Sequence, residues 1–135
     1  MGRKQAREGA MKVLFQMDSM SDYTEDSLDL FLENFEYDEM ETVYIKHSIS
    51  LIRENLEEID SHITSNLEGW SIYRLAKVDL AVLRIAIYEI LYRDDIPVEV
   101  SINEAIETVK KYSSDESFKF INGVLGGFVR NKDKK

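Results

Sequence analysis

Residues 75–92 read LAKVDLAVLRIAIYEILY and are apolar on almost every side when wound as an α-helix. Only Lys77 and Arg84 form a polar strip, so the segment belongs in the middle of a helical bundle. Asp79 and Glu89 fall within the apolar arc, where a carboxylate needs a hydrogen-bond donor. We expect an arginine or a helix cap beside each. A catalytic pair is the alternative, but no nucleophile, metal-ligand set or glycine-rich phosphate loop accompanies them.

Helical periodicity continues on both sides of this segment, and a single proline with six glycines favours long helices. The pattern predicts helices over residues 3–19, 28–35 and 37–67, with two more after Pro97 and after the turn at 113–115. The predicted fold class is all-α, a compact domain of about seven helices over residues 1–135. Its expected halves are residues 1–69 and 70–131, which meet after the helix stop at Glu68-Gly69.

Two smaller expectations concern single residues. His47 falls on an apolar face of the predicted third helix, which favours a core histidine with a satisfied ring. Gly123, Gly126 and Gly127 lie inside the last helix and not between a strand and a helix, so they are not a dinucleotide motif. They are expected to permit the close approach of another helix or a ligand.

The composition excludes several classes of protein. There is no cysteine, and the two histidines are far apart, which excludes disulfides, thiolate chemistry and a histidine metal site. No cofactor is predicted. No apolar run approaches a membrane span or a signal-peptide core, so the expected location is cytoplasmic. The net charge is −9, yet residues 18–60 alone carry −12, which leaves the rest of the chain positive.

The N-terminal segment is the most basic part of this acidic chain. Arg3, Lys4, Arg7 and Lys12 stand against one acid, Glu8, which predicts an anion-binding surface. Wound as a helix, the segment places its apolar residues on one face, namely Ala6, Ala10, Val13, Leu14 and Met17. Lys4, Met11 and Phe15 lie on the opposite side, flanked by Arg7 and Lys12. Single-stranded nucleic acid is bound by such pairs, because cations contact phosphates and a ring stacks on a base.

The last helix repeats the pattern. Lys119 points away from the apolar stripe of that helix, and Phe120 lies at the stripe's edge. If Phe15 and Phe120 open onto one groove, they form two stacking platforms of a single RNA site. The alternatives are that both rings cover the edge of the core and that the basic arm is only a solvated surface.

The chain resembles the NusB family of transcription antitermination factors along nearly its whole length. The match begins with RKQARE at residues 3–8, and it is strongest over residues 75–125. Its most specific parts are INEAIE at residues 102–107 and KFINGVL at residues 119–125. The sequence departs from the family pattern at Leu80 and at Gly126-Gly127, where charged residues are more usual.

The resemblance implies two three-helix bundles and a non-enzymatic adaptor. The implied partners are boxA, a single-stranded RNA element of ribosomal RNA transcripts, the small-subunit ribosomal protein NusE, and the RNA polymerase elongation complex. The family's RNA-binding positions match Arg3, Lys4, Arg7, Phe15, Lys119 and Phe120, to which the charge pattern adds Lys12. Asp79 falls on an acidic position at the protein-partner surface. The alternative function is a protein-interaction module without RNA, formed by a helical homodimer that hides the basic face.

Overall fold

The computed structural model describes residues 2–69 and 71–132, and these ranges contain helices and no strand. A short 3-10 helix at Ile72–Arg74 precedes the fifth α-helix. The seven α-helices are α1 (Arg3–Met20), α2 (Glu25–Asn34), α3 (Glu39–Glu54), α4 (Leu56–Thr64), α5 (Lys77–Tyr92), α6 (Val98–Tyr112) and α7 (Asp115–Lys132). The predicted all-α class with about seven helices is confirmed.

Helix α5 occupies the centre of the molecule, as the apolar run at residues 75–92 predicts. Every residue from Asp79 to Glu89 is buried, and α5 packs against α1, α3, α4, α6 and α7. Its fully buried members include Leu83, Ile87 and Tyr88. Since each buried aliphatic side chain stabilises the fold by about 1.5–3 kcal/mol, the burial of this helix contributes strongly to the stability of the protein.

The long third helix predicted over residues 37–67 is wrong, because two helices meet at Asn55. This residue has φ −122° and ψ 25°, outside the helical region. Its side-chain amide donates to the Leu51 carbonyl at 2.9 Å, the kind of local bond by which asparagine competes with a continuing helix. The apolar face survives the break, since Ile52 before it and Ile59 after it are both fully buried. Periodicity therefore identified the face correctly and missed the interruption.

Two glycines allow a neighbouring segment to approach their helix closely. A Cβ on Gly9 of α1 would lie 2.7 Å from Ile45 Cδ1 of α3, and a Cβ on Gly127 of α7 would lie 2.5 Å from Asn66 Oδ1. Gly127 therefore fulfils the expected role of a close-approach glycine. Gly123 does not, because a Cβ there would meet open space.

The expectation of a core histidine at His47 is wrong. The residue is exposed, although its Nδ1 is hydrogen-bonded to the hydroxyl of the buried Tyr88. The apolar neighbours of His47 on α3 placed it at the edge of the core, where the ring keeps contact with water. Within residues 2–69 and 71–132, no helix has the length and apolar character needed to cross a membrane.

Candidate nucleic-acid interface

Arg7 lies inside the protein, contrary to the surface role that the basic N-terminal pattern suggests. Arg7 is only 8% exposed. Its Nε donates to Glu89 Oε2 at 2.7 Å and its Nη2 donates to Oε1 at 3.1 Å, which makes a bidentate pair between α1 and α5. Glu104 of α6 lies 3.6 Å from Nη1. Arg7 is thus committed to joining three helices and does not present its guanidinium to solvent.

The carboxylate of Glu89 confirms the expected need for a donor in the apolar arc of α5. Besides Arg7, it accepts hydrogen bonds from the Tyr44 hydroxyl and from Ser101 Oγ, the latter at 2.7 Å. Burial, together with the charge of Glu89, raises the pKa of Tyr44 well above its usual range, so the phenol remains a donor. Burial opposes the charge of Arg7, yet the bonds to Glu89 outweigh it and raise the pKa of the guanidinium. This network joins helices inside the protein, and each of its polar side chains already has a hydrogen-bond partner.

The first turn of α1 exposes two of the predicted cations. Arg3 and Lys4 are both exposed, and the Arg3 guanidinium lies 5.3 Å from the ring centre of Tyr44. These residues stand at the Glu89 end of α5. Phe15 lies twelve residues further along α1, which corresponds to about 18 Å of helix.

The middle of α1 faces the end of α6. Glu8 accepts hydrogen bonds from the Tyr112 hydroxyl at 2.8 Å and from Lys111 Nζ at 3.2 Å. Lys12 is exposed, and its Nζ lies 5.9 Å from the centre of the Tyr112 ring. Burial disfavours the charge of Glu8, but the bonds from Tyr112 and Lys111 prevail and lower its pKa. The end of α6 is thereby fixed against α1, with lysines on both helices facing water.

The side chain of Phe15 reaches the surface of α1, and this residue is 42% exposed. Helices α1 and α5 run antiparallel, since Arg7 bonds to Glu89 near one end and Asp18 bonds to Lys77 near the other. This pairing places Phe15 level with the first turn of α5. Arg7, Met11 and Phe15 follow one another at intervals of four, and the first two contact the strip of α5 on which Asp79 also lies.

Helix α7 brings the second predicted pair to the same end of α5. Lys119 is exposed and Phe120 is partly buried against the core. Ser117, one turn before Phe120, donates its hydroxyl to Asp79 Oδ2 at 3.0 Å. Phe120 and Asp79 line one surface cavity of about 280 Å³. The pair on α7 therefore lies beside the beginning of α5, and Phe15 of α1 is level with it along the axis of α5.

Asp79 differs from Glu89 in how its carboxylate is satisfied. The residue is 6% exposed. Its Oδ2 accepts the bond from Ser117, whereas its buried Oδ1 has no hydrogen-bond partner among the described residues. The expected donor is therefore present for one oxygen only. The assignment of Asp79 to a protein-partner surface, which the family resemblance implies, stays a prediction.

Two lysines at the end of α6, next to α1, did not enter the sequence prediction of the RNA-binding residues. Lys110 and Lys111 are exposed at the end of α6, and Lys110 Nζ lies 5.1 Å from the Phe118 ring centre. The signal was the adjacent lysine pair before the turn at residues 113–115, but its relation to α1 depends on how α6 crosses that helix. No set of three histidine or acidic side chains in the described part of the chain could hold a metal ion.

The helical scaffold carries cations and two aromatic rings on its surface, namely Arg3, Lys4, Lys12, Lys119, Phe15 and Phe120. These features define an all-helical binding protein. The chain belongs to the NusB family, because the model of that family matches residues 4–130. Members of this family are transcription antitermination factors and not enzymes. It is 46% identical over 132 residues to a transcription antitermination protein NusB from Acetivibrio thermocellus, covering 98% of this chain and 91% of that protein.

Solved structures agree with this assignment. A NusB structure from T. maritima superimposes with a TM-score of 0.88 and 40% identity, covering 96% of this chain and 92% of the other. A second structure contains the antitermination factors NusB and NusE in complex with double-stranded RNA. It matches with a TM-score of 0.83 and 28% identity, covering 95% of this chain and 96% of the other.

Proposed function

We propose that this protein binds single-stranded boxA RNA of ribosomal RNA transcripts together with the small-subunit ribosomal protein NusE. In this role it acts on the RNA polymerase elongation complex as an antitermination factor. The similarity to a solved complex of NusB, NusE and RNA supports both partners. The arrangement of cations and rings on this chain supports a single-stranded RNA element, since rings stack only on bases that are free of a duplex.

The arrangement that supports this proposal is that Phe120 lines the cavity at the first turn of α5, while Phe15, 105 positions away in sequence, lies level with that turn on the antiparallel α1. Each ring has an exposed lysine nearby, Lys12 on α1 and Lys119 on α7. A strand of RNA can stack bases on the rings while the lysines contact the flanking phosphates. Arg3 and Lys4 extend this track along α1, and Arg7 is left out because it is buried against Glu89.

A need for NusE follows from the charge of the chain. Residues 18–60 hold a net charge of −12 and repel a polyanion. The proposed face offers only four accessible cations of the predicted set, namely Arg3, Lys4, Lys12 and Lys119. We expect the chain alone to bind RNA weakly and the ribosomal protein to complete the site.

Fluorescence anisotropy with a labelled boxA RNA tests the proposal, with and without NusE. Phe15→Ala and Phe120→Ala should each weaken binding by about 1–3 kcal/mol through lost stacking. Phe35→Ala is the matched control, because Phe35 is 51% exposed and lies at the end of α2, within the acidic part of the chain. Wild-type affinity in both Phe15→Ala and Phe120→Ala would contradict the stacking model.

The homodimer is the competing function, favoured by the exposure of Phe15 at 42%. A self-interface would cover this ring and the cations beside it. Light scattering across a range of protein concentrations, with and without RNA, separates the two functions. A dimer that RNA dissociates would show that both use the same face, whereas a dimer that persists without any RNA binding would favour the interaction module.

A further inference from the structure

The segment formed by α2 and the beginning of α3 exposes an unusual share of apolar side chains. Four of the eight large apolar residues that are exposed in the described part of the chain lie here, namely Leu30, Phe35, Met40 and Val43. None of them belongs to the proposed RNA face, which lies on α1 and α7. Exposed apolar side chains concentrated in one short segment indicate a surface that binds a partner.

A groove of about 940 Å³ lies between α2 and α3 in this segment. Leu32 and the ring of Phe35 form its apolar part, and Phe35 is 51% exposed. The Phe35 ring stacks on the buried Phe31, with ring centres 4.6 Å apart and an interplanar angle of 26°. The core therefore holds the Phe35 ring in place while its remaining surface stays open to a flat group.

Carboxylates surround the open surface of Phe35. The groove is lined by one base, Lys46, and by four acids, namely Asp29, Glu33, Glu36 and Asp38. Asp29 and Glu33 stand four residues apart on α2, where like charges repel each other and destabilise the helix. Within residues 2–69 and 71–132, no lysine or arginine forms an ion pair with Asp29, Glu33 or Glu36. A cationic partner would relieve this repulsion.

We propose that this α2–α3 groove binds an arginine-rich segment of a protein partner. A guanidinium is planar, so it stacks on an aromatic ring and donates two parallel hydrogen bonds to a carboxylate. Phe35 supplies the ring, and Glu33 and Glu36 supply carboxylates along the same groove. Apolar side chains between the arginines would cover Leu32. This surface is separate from the proposed RNA face and adds a further partner to the protein.

The contrast between two exposed phenylalanines identifies the class of partner. Phe15 is 42% exposed and has the exposed Lys12 one turn away, whereas Phe35 lies among carboxylates. The net charge of −12 over residues 18–60 repels RNA from the groove. A metal ion does not fit either, because no three acidic or histidine side chains in the described chain are arranged to hold one. An arginine-rich segment matches both the ring and the carboxylates.

Fluorescence anisotropy with a labelled synthetic peptide tests the inference. The peptide alternates pairs of arginines with single leucines, and a second peptide carries lysine at every arginine position. We expect wild type to bind the arginine peptide roughly three- to tenfold more tightly, because lysine keeps the charge but lacks the planar guanidinium. Absence of binding to the arginine peptide, or equal binding of the two peptides, would overturn the inference.

Variants then assign the binding to the groove. Phe35→Ala should weaken binding of the arginine peptide roughly three- to tenfold through lost stacking, and Glu33→Gln and Glu36→Gln should each weaken it by up to about fivefold. Lys46→Gln removes the one base of the groove and should tighten binding, a gain that a folding defect does not produce. Glu99→Gln is the matched control, because it removes an exposed acid of α6 outside the groove and should bind as wild type does. Denaturation curves check that each variant is folded.

The same variants separate the groove from the RNA face. Phe35→Ala should keep wild-type affinity for boxA RNA, and Phe15→Ala should keep wild-type affinity for the arginine peptide, so failure of either proposal leaves the other testable. Peptide binding that is lost in Phe15→Ala and unchanged in Phe35→Ala would place the peptide elsewhere and contradict the inference. A dimer that forms without peptide and dissociates in Phe35→Ala, measured by light scattering, would assign the groove to a second copy of the chain and contradict it as well.

Discussion

Helices α1 and α7 show the same sequence pattern, a cation near an aromatic ring. The fold nevertheless places Arg7 of α1 and Lys119 of α7 in different surroundings. Arg7 of α1 is buried and bonded to Glu89 through Nε and Nη2. Lys119 of α7 is exposed beside the cavity that Phe120 lines. The difference lies in what each cation faces, because Arg7 lies beside Glu89 of α5 and Glu104 of α6 while Lys119 faces water.

This contrast shows that a basic residue in an amphipathic helix has two possible fates. A buried carboxylate elsewhere in the chain captures the arginine, because an unpaired interior charge is costly. Without such a carboxylate nearby, the cation stays at the surface and remains available to a phosphate. Arg7 therefore stabilises the fold on which the interface is built, and Lys119 belongs to the interface itself.

The largest effect that tests this contrast is expected for Arg7→Ala. Removal of the guanidinium leaves the buried Glu89 without its cation, so the free energy of unfolding should fall by about 3–5 kcal/mol. Chemical denaturation followed by circular dichroism measures this loss. Lys119→Ala is the comparison, and its exposed position predicts a change within about 0.5 kcal/mol.

The two variants should also differ in RNA binding, with the order reversed. Lys119→Ala should weaken binding to boxA RNA, whereas Arg7→Ala, measured under conditions where it is folded, should bind nearly as wild type does. A stable Arg7→Ala variant that loses RNA affinity would contradict the division of roles between α1 and α7.

Local patterns in the sequence predict much of this fold. The all-round apolar run of α5 fixed the central helix, and the periodicity of Ile45, Ile49 and Ile59 identified a face that is fully buried. The break at Asn55 could not be predicted in this way, because the same face continues across it. Helical spacing also says which residues share a face, but not which helix covers that face.

The candidate site shows this limit more clearly. The exposure of Phe15 and Lys12 agrees with the helical projection, which placed Phe15 opposite the apolar stripe and Lys12 beside it. Met11 and Arg7 lie on the same side of that projection and are buried, because α6 covers them. The sequence indicated that Glu89 needs a hydrogen-bond donor. It could not indicate that Arg7 is that donor, because 82 positions separate the two residues.

Two glycine substitutions extend the comparison between α1 and α7 at a smaller magnitude. Gly9→Ala should destabilise the protein by about 1–3 kcal/mol, because the new methyl group overlaps the buried Ile45 and the partly buried Tyr37. Gly123→Ala places its methyl group in open space and should stabilise α7 by about 0.5–1 kcal/mol, since alanine is the better helix former. Urea denaturation midpoints with unchanged slopes would measure both, and equal shifts of the same sign would contradict the packing difference.

The salt dependence of RNA binding counts the cations that contact phosphates. If Arg3, Lys4, Lys12 and Lys119 are the contacts of this chain, the slope of log affinity against log salt should be roughly −3, near −0.7 per contact. Lys119→Gln should reduce the magnitude of this slope by about 0.7. The matched variant is Lys46→Gln on α3, which removes an exposed lysine from the acidic region and should leave the slope unchanged. A slope that does not respond to Lys119 would place that residue outside the interface.

The smallest effect concerns Glu8, which holds α1 against the end of α6. Its folded-state pKa lies below the ordinary value of 4.5, because the bonds from Tyr112 and Lys111 outweigh the effect of burial. A carboxyl group with a lowered pKa adds stability above its unfolded-state pKa and loses that contribution as the pH falls through the folded value. Wild type should therefore be more stable than Glu8→Gln at neutral pH, and the gap should close below about pH 4.5. Thermal unfolding of both proteins between neutral and acidic pH measures the gap, and a difference that stays constant would show that Glu8 acts through packing and not through its charge.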